Sequence, residues 1–209
     1  MTLFLSSYRL GSNPCQFPRL LPPQARVAVV INAQSGYPDP TENYAREASS
    51  LIELGLVPEL LDLKDYFEDT PGLLARLTAV SAVWVLGGNT FTLRTAMLLS
   101  GFDVLLPKLL SDGLLYAGYS AGACVLSPSL RGLDIVDDPL ESFMVYGQHP
   151  TFAGLGILDV AFIPHYKSEH DESALVDSVI EFLEENNMPY VTCRDGDAQV
   201  IRDHAFAQK

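Results

Sequence analysis

Val27-Ala28-Val29-Val30-Ile31 has no polar member, and a strand that reads this way has no face to offer to water. Such a run must be covered on both sides. Val83-Trp84-Val85-Leu86, Leu114 to Tyr119 and Val160-Ala161-Phe162-Ile163 repeat the pattern, and Glu59 to Leu63 is a weaker example. Met1 to Tyr8 lacks the basic lead and long apolar stretch of a signal peptide, and reads as a first buried strand. Between these runs stand stretches of helical spacing. Tyr44, Ala45, Ala48, Leu51 and Ile52 follow a Thr41 N-cap and precede a Gly55 stop. Leu73, Leu74 and Leu77, then Phe91 to Leu99, Val104 to Leu110 and Glu172 to Glu185, continue the alternation. The order predicts one α/β domain over residues 1–209, a three-layer sandwich around a mostly parallel central sheet. Ser127 to Leu155, rich in Pro, Gly and Asp, predicts loops with one short strand near Phe143–Val145. Tyr190–Cys193 and Gln199–Ile201 predict a hairpin-like pair around Arg194-Asp195-Gly196-Asp197.

Charge and composition exclude several classes of function. Thirteen Lys and Arg against 26 Asp and Glu give a net charge of −13, which repels a phosphate backbone and argues against nucleic-acid binding. No apolar run reaches the roughly 20 residues that span a bilayer. Three cysteines, without CxxC spacing, exclude a disulfide framework and a cysteine-rich zinc site, and point to the cytoplasm. The four histidines show no HExxH spacing. No metal or organic cofactor is expected. The expected partners are a small peptide substrate and at most a second copy of the chain, as a homodimer.

Three strand ends carry chemistry. Gly118-Tyr119-Ser120-Ala121-Gly122 has the form G-x-S-x-G, with an apolar strand before it and small residues after it. That context fits a nucleophile elbow, in which Ser120 is presented on a strained turn and the Ala121 N–H faces a developing oxyanion. Leu86-Gly87-Gly88-Asn89-Thr90 ends another strand. There Gly88 can supply a second oxyanion donor and Asn89 a substrate contact, while Asn89 or Thr90 can equally cap the helix from Phe91. Ile163-Pro164-His165-Tyr166 places a histidine at a third strand end, as a general base for Ser120. His170 reads as a surface helix-start residue, and Cys124 as a small buried apolar one. Asp134, Asp137, Asp138, Asp171, Glu172, Asp195 and Asp197 are candidates to orient the imidazole, with Asp195 ahead because it follows a strand.

On the blocks Gly87-Gly88-Asn89-Thr90-Phe91, Gly118 to Ala123, Pro164-His165-Tyr166 and Arg194-Asp195-Gly196, the chain resembles the peptidase E family of α-aspartyl dipeptidases. The resemblance implies a class I glutamine amidotransferase-like (flavodoxin-like) fold and a serine peptidase. It implies Ser120 as nucleophile, His165 as base, and the Gly88 and Ala121 amides as oxyanion hole. Asp195 stands where the family generally has Glu before Gly. A further acidic position of the family matches Asp134, as a second candidate orienter or, with Asn89 and Thr90, a substrate contact. The arginine that the family carries soon after its histidine is missing here. Lys167 is the one basic residue between His165 and Arg194, and Lys167, Arg131 or Arg194 would have to substitute. Two competing readings are an α/β-hydrolase esterase using Ser120, Asp171 and His204, and a non-catalytic relative that binds peptides.

Overall fold

The computed structural model describes residues 1–202. A six-stranded sheet runs in the order β3 (Val57–Leu61), β2 (Arg26–Val30), β4 (Ala82–Val85), β5 (Leu115–Tyr119), β1 (Thr2–Ser6), β8 (Ala198–Arg202). All neighbours are parallel except β8, which closes the edge antiparallel to β1. Alternation along the strands shows why the sheet needs two covers. Leu3, Leu5, Ala28, Val30, Val83, Val85 and Tyr116 point to one face, where α2 (Thr70–Thr78), α3 (Thr90–Ser100) and α4 (Phe102–Ser111) pack. Phe4, Val27, Val29, Trp84, Leu115 and Ala117 point to the other, against Phe17 and Leu51 of α1 (Pro40–Glu53). The sequence thus folds as the mostly parallel three-layer sandwich that its buried runs require.

Four local expectations are corrected. Asp39, not Thr41, caps α1: its carboxylate accepts from the Thr41 N–H, and Pro40 takes the first helical position, where no N–H is needed. The strand expected at Glu59–Leu63 lies two residues earlier, because Asp62 caps a 3-10 turn that begins at Leu63. The strand expected near Phe143–Val145 is helix α6 (Glu141–Tyr146), ended by Gly147 at φ 68°. Tyr190–Thr192 (β7) does not form a hairpin with β8. It pairs in parallel with β6 (Ala161–Ile163) as a separate two-stranded sheet, while β8 finds β1. This small sheet shares a third apolar cluster with α7 (Ser173–Glu185), through Ile163, Val176, Val179 and Leu183.

Candidate active site

Ser120 follows β5 directly, and the chain turns at once into α5 (Ala121–Cys124). Its backbone sits at φ 48° and ψ −121°, a conformation that L residues rarely adopt and that needs a surrounding structure to hold it. Small neighbours make the turn possible. A Cβ on Gly122 would lie 2.3 Å from the Val85 carbonyl oxygen, and one on Gly118 2.7 Å from that of Gly122. The hydrogen bonds among the described residues include none from the Ser120 hydroxyl, and the Gly88 and Ala121 N–H groups have no backbone acceptor there.

The pairing of β6 with β7 brings two further groups to this end of the sheet. Ile163 and Thr192 are register partners, so His165 and Asp195 leave neighbouring parallel strands side by side. His165 Nδ1 lies 2.8 Å from Asp195 Oδ1. The neutral ring therefore carries its proton on Nδ1 and leaves Nε2 as the basic nitrogen. The imidazole is buried, and burial pushes its pKa below the usual value, helped by His170 and opposed by Asp195.

Two hollows meet at Ser120, His165 and Glu172. One is narrow, about 20 Å³, and is lined by Thr90, Asp137 and apolar groups such as Leu133, Val136 and Val176. The other, about 170 Å³, is open and is lined by Tyr8, Gln34, Tyr37, Arg46, Gly88 and His170. A larger hollow of about 410 Å³ lies at the opposite end, at the strand starts Thr2, Ser81 and Leu114, whereas ligands of parallel sheets collect at strand C-terminal ends.

The other proposed contacts are distributed unevenly. Thr90 lines the narrow hollow. Asn89 is taken up by structure: its Oδ1 accepts from Phe91 and Thr92 N–H as the cap of α3, and its Nδ2 donates to the Asp138 carbonyl. Asp134 is exposed, accepts from the Gly132 N–H, and lines neither hollow. Lys167, Arg131 and Arg194 are exposed. Lys167 lies over the Tyr166 ring, Arg131 over that of Phe182, and Arg194 donates to the Lys167 carbonyl. None of the three reaches the hollows. Asp171 is exposed, and His204 lies outside the described residues.

Several site groups are missed in the sequence, or take a place in the site that the sequence does not show. Ser7, one residue past β1, donates to Asp195 Oδ1 at 2.6 Å and accepts the His165 N–H at 2.7 Å. His170 is not a bystander: its ring stacks on His165 with centroids 3.7 Å apart. Glu172 Oε2 lies 3.9 Å from His165 Nε2, and burial raises the Glu172 pKa. Asp137 accepts from the Thr90 N–H, yet burial lifts its pKa to about 7. Cys124 is buried, donates to the Phe162 carbonyl and has its thiol pKa pushed well up by burial, which makes it a poor nucleophile.

A serine on a strained strand-to-helix turn, lining the same hollows as a carboxylate-held histidine, has the arrangement of elbow-type hydrolases. Residues 24–209 match peptidase family S51, and the chain belongs to that family of serine-type peptidases. It is 34% identical over 181 residues to Peptidase E of Streptomyces coelicolor, which covers 84% of this chain and 68% of that one. An uncharacterized peptidase of Listeria innocua is 31% identical over 119 residues, 57% of this chain and 54% of that protein. Among solved structures, a Listeria monocytogenes protein provisionally named peptidase E superposes with a TM-score of 0.82 at 23% identity, over 100% of this chain and 97% of that one. A peptidase from an acI-B1 Actinobacterium gives 0.71 at 19% identity, over 96% and 83%. These two likenesses show the fold. No helix among the described residues is long and apolar enough to cross a membrane.

Proposed function

We propose that the chain hydrolyses short peptides, in the cytoplasm, through a triad of Ser120, His165 and Asp195. The reading rests above all on the 2.8 Å bond from His165 to Asp195, placed on the hollow that the strained Ser120 lines. Ser120 Oγ attacks the scissile carbonyl while His165 Nε2 takes its proton. The Gly88 and Ala121 N–H groups stabilise the oxyanion. His165 returns the proton to the leaving amine, and the peptide C–N bond breaks. A water molecule, deprotonated by His165, then attacks the acyl carbon, the bond from that carbon to Ser120 Oγ breaks, and His165 returns the proton to Oγ. Asp195 keeps the imidazole in the tautomer that these steps need and stabilises its charged form.

The resemblance to α-aspartyl dipeptidases makes dipeptides with an N-terminal aspartate the first substrates to test. One observation favours a different side-chain preference. Asp137 and Glu172 line the narrow hollow, which holds no lysine or arginine among its described lining residues, and after burial the Glu172 and Glu141 carboxylates also raise the Asp137 pKa. A field of that sign favours neutral or basic N-terminal residues, and Arg46 is the cation on the open side. A panel of Asp-X, neutral-X and Lys-X dipeptides, run on wild type and Ser120→Ala, tests both. Turnover in wild type, absent from Ser120→Ala and cut about 10³-fold or more in Asp195→Asn, is the expected result. Full activity of Ser120→Ala refutes the mechanism, and the order of kcat/KM across the panel settles the preference.

A further inference from the structure

Gln34 is an expensive residue to keep where it stands. It ends the 3-10 turn Asn32–Gln34, is buried at 4% exposure, and lines the open hollow beside Gly87 and Gly88. Its Nε2 donates to the Gly87 carbonyl at 2.8 Å, and its Oε1 has no hydrogen-bond partner among the described residues. The carbonyl can only accept, so the amide nitrogen must face it and the oxygen is the atom left over. A buried acceptor without a donor is a standing penalty that leucine or methionine would avoid. Breaches of that kind collect at functional sites.

The one bond that Gln34 makes holds a particular peptide unit. In a trans peptide the carbonyl and the following N–H point in opposite directions. Fixing the Gly87 carbonyl therefore fixes where the Gly88 N–H points. The loop needs such a restraint. Gly88 sits at φ 139°, a region open to glycine alone, and glycines rotate at little cost. The flanks are held elsewhere: the Asn89 N–H donates to the Ala33 carbonyl at 2.7 Å, and the Leu86 N–H to that of Val30 at 3.0 Å. The unit between them is held by Gln34.

We propose that Gln34 is a positioning residue of the oxyanion hole: by holding the Gly87 carbonyl it aims the Gly88 N–H at the oxygen that gains charge when Ser120 attacks. The proposal rests on Ser120 as nucleophile and Gly88 as donor. It acts through the backbone, so it predicts loss of transition-state stabilisation with little loss of substrate binding or stability.

Gln34→Met keeps the length, removes the donor and removes the orphan acceptor. Its kcat should fall on the order of 10- to 100-fold, part of the loss seen when such a donor is deleted outright. KM should stay within about threefold, the mark of an interaction made in the transition state. A peptide aldehyde, which forms a tetrahedral adduct with serine, should lose affinity by the same factor as kcat/KM. The melting midpoint should hold or rise. A kcat within about twofold of wild type overturns the proposal. So does a kcat loss accompanied by a lower melting midpoint and an equal loss of peptide binding in the Ser120→Ala background, which marks a structural role. If the methionine variant does not fold, Gln34→Leu, which likewise lacks both the donor and the acceptor, is read in the same way. Labelling by a fluorophosphonate separates the two levels. A wild-type protein not labelled at Ser120 refutes the nucleophile reading itself, whereas a labelled protein with unchanged Gln34→Met kinetics refutes only the role of Gln34.

Discussion

Replacing Ser7 with alanine removes a single oxygen that serves both His165 and Asp195. Its hydroxyl donates to Asp195 Oδ1 at 2.6 Å, the same oxygen that faces His165 Nδ1, and it accepts the His165 backbone N–H at 2.7 Å. Ser7 is fully buried, so water does not replace it without rearrangement. A hydrogen bond to a carboxylate is worth about 1.5–3 kcal/mol, and a stranded buried N–H costs about 1–3 kcal/mol. The two losses share one site and do not simply add, so roughly 2–4 kcal/mol is expected. The His165 backbone makes the upper half of that range reasonable, because its φ of 58° is held in part by this bond. For a chain of this size the loss lowers the melting midpoint by roughly 5–15 °C. The Asp195 carboxylate, freed from one donor, should also hold His165 less firmly and cut kcat about tenfold. Thermal unfolding followed by circular dichroism, with kcat on the best peptide, checks both. A midpoint lowered by less than about 2 °C with unchanged kcat would refute the reasoning, because it would mean that neither bond contributes.

The acid limb of kcat/KM should lie below the ordinary imidazole range, since burial and then His170 depress the His165 pKa. A base with a depressed folded pKa contributes stability that is present above its unfolded value, near 6.5, and is lost as pH falls through the folded one. His170→Ala should therefore move the acid limb to higher pH, and a pH–rate profile that does not shift rejects the stacking pair as its cause. Asp137 has the opposite sign. Its folded pKa is raised to about 7, so the wild type loses stability as pH rises from the carboxylate range through that value. Asp137→Asn should gain on the order of 2 kcal/mol at pH 8, discounted for partial exposure, and nothing at pH 4. Urea titrations at the two pH values measure the difference. Gly122→Ala should destabilise by about 3 kcal/mol or fail to fold, because its Cβ meets the Val85 backbone at 2.3 Å in a fully packed layer. A urea midpoint equal to wild type would show that the elbow can open.

What the sequence shows of this site depends on how local each cause is. Ser120 is legible because its neighbours Gly118 and Gly122 are required by contacts within the same strand, turn and helix. The buried strands are legible because burial on both faces leaves a run without polar residues. The pairing of β6 with β7 is not legible. Both strands are short, and a turn of Asp-Gly type reads as a hairpin until it is known that β8 completes the main sheet at β1. That pairing is what places Asp195 beside His165. Ser7, Gln34, His170 and Glu172 have no motif of their own. Ser7 and Gln34 owe their roles to partners far away in the chain, Asp195 and Gly87, whereas His170 and Glu172 meet the nearby His165 only because the loop between β6 and α7 folds back over it. Phe143–Val145 was open to a strand reading because three apolar residues in a row carry no period, and the length needed to tell helix from strand is missing.

Asp195 also shows how a shorter side chain can reach the histidine where the family resemblance expects Glu. One methylene less of reach must be recovered by the backbone, and the two loops are tied together at several points. The Tyr166 N–H donates to the Cys193 carbonyl at 3.1 Å, and the Cys193 N–H to that of Ile163 at 2.8 Å. The Asp195 N–H donates to Ser168 Oγ at 2.8 Å, and Arg194 reaches the Lys167 carbonyl. His165 and Lys167 both take positive φ values, 58° and 48°, so the chain after β6 folds back toward the loop after β7 instead of running on. The carboxylate needs no longer arm, because the histidine is brought to it. Strain in the backbone of residues 165–167 and the hydrogen bonds that pay for it therefore belong to the same device as the His165–Asp195 contact, and Ser7 is its third side.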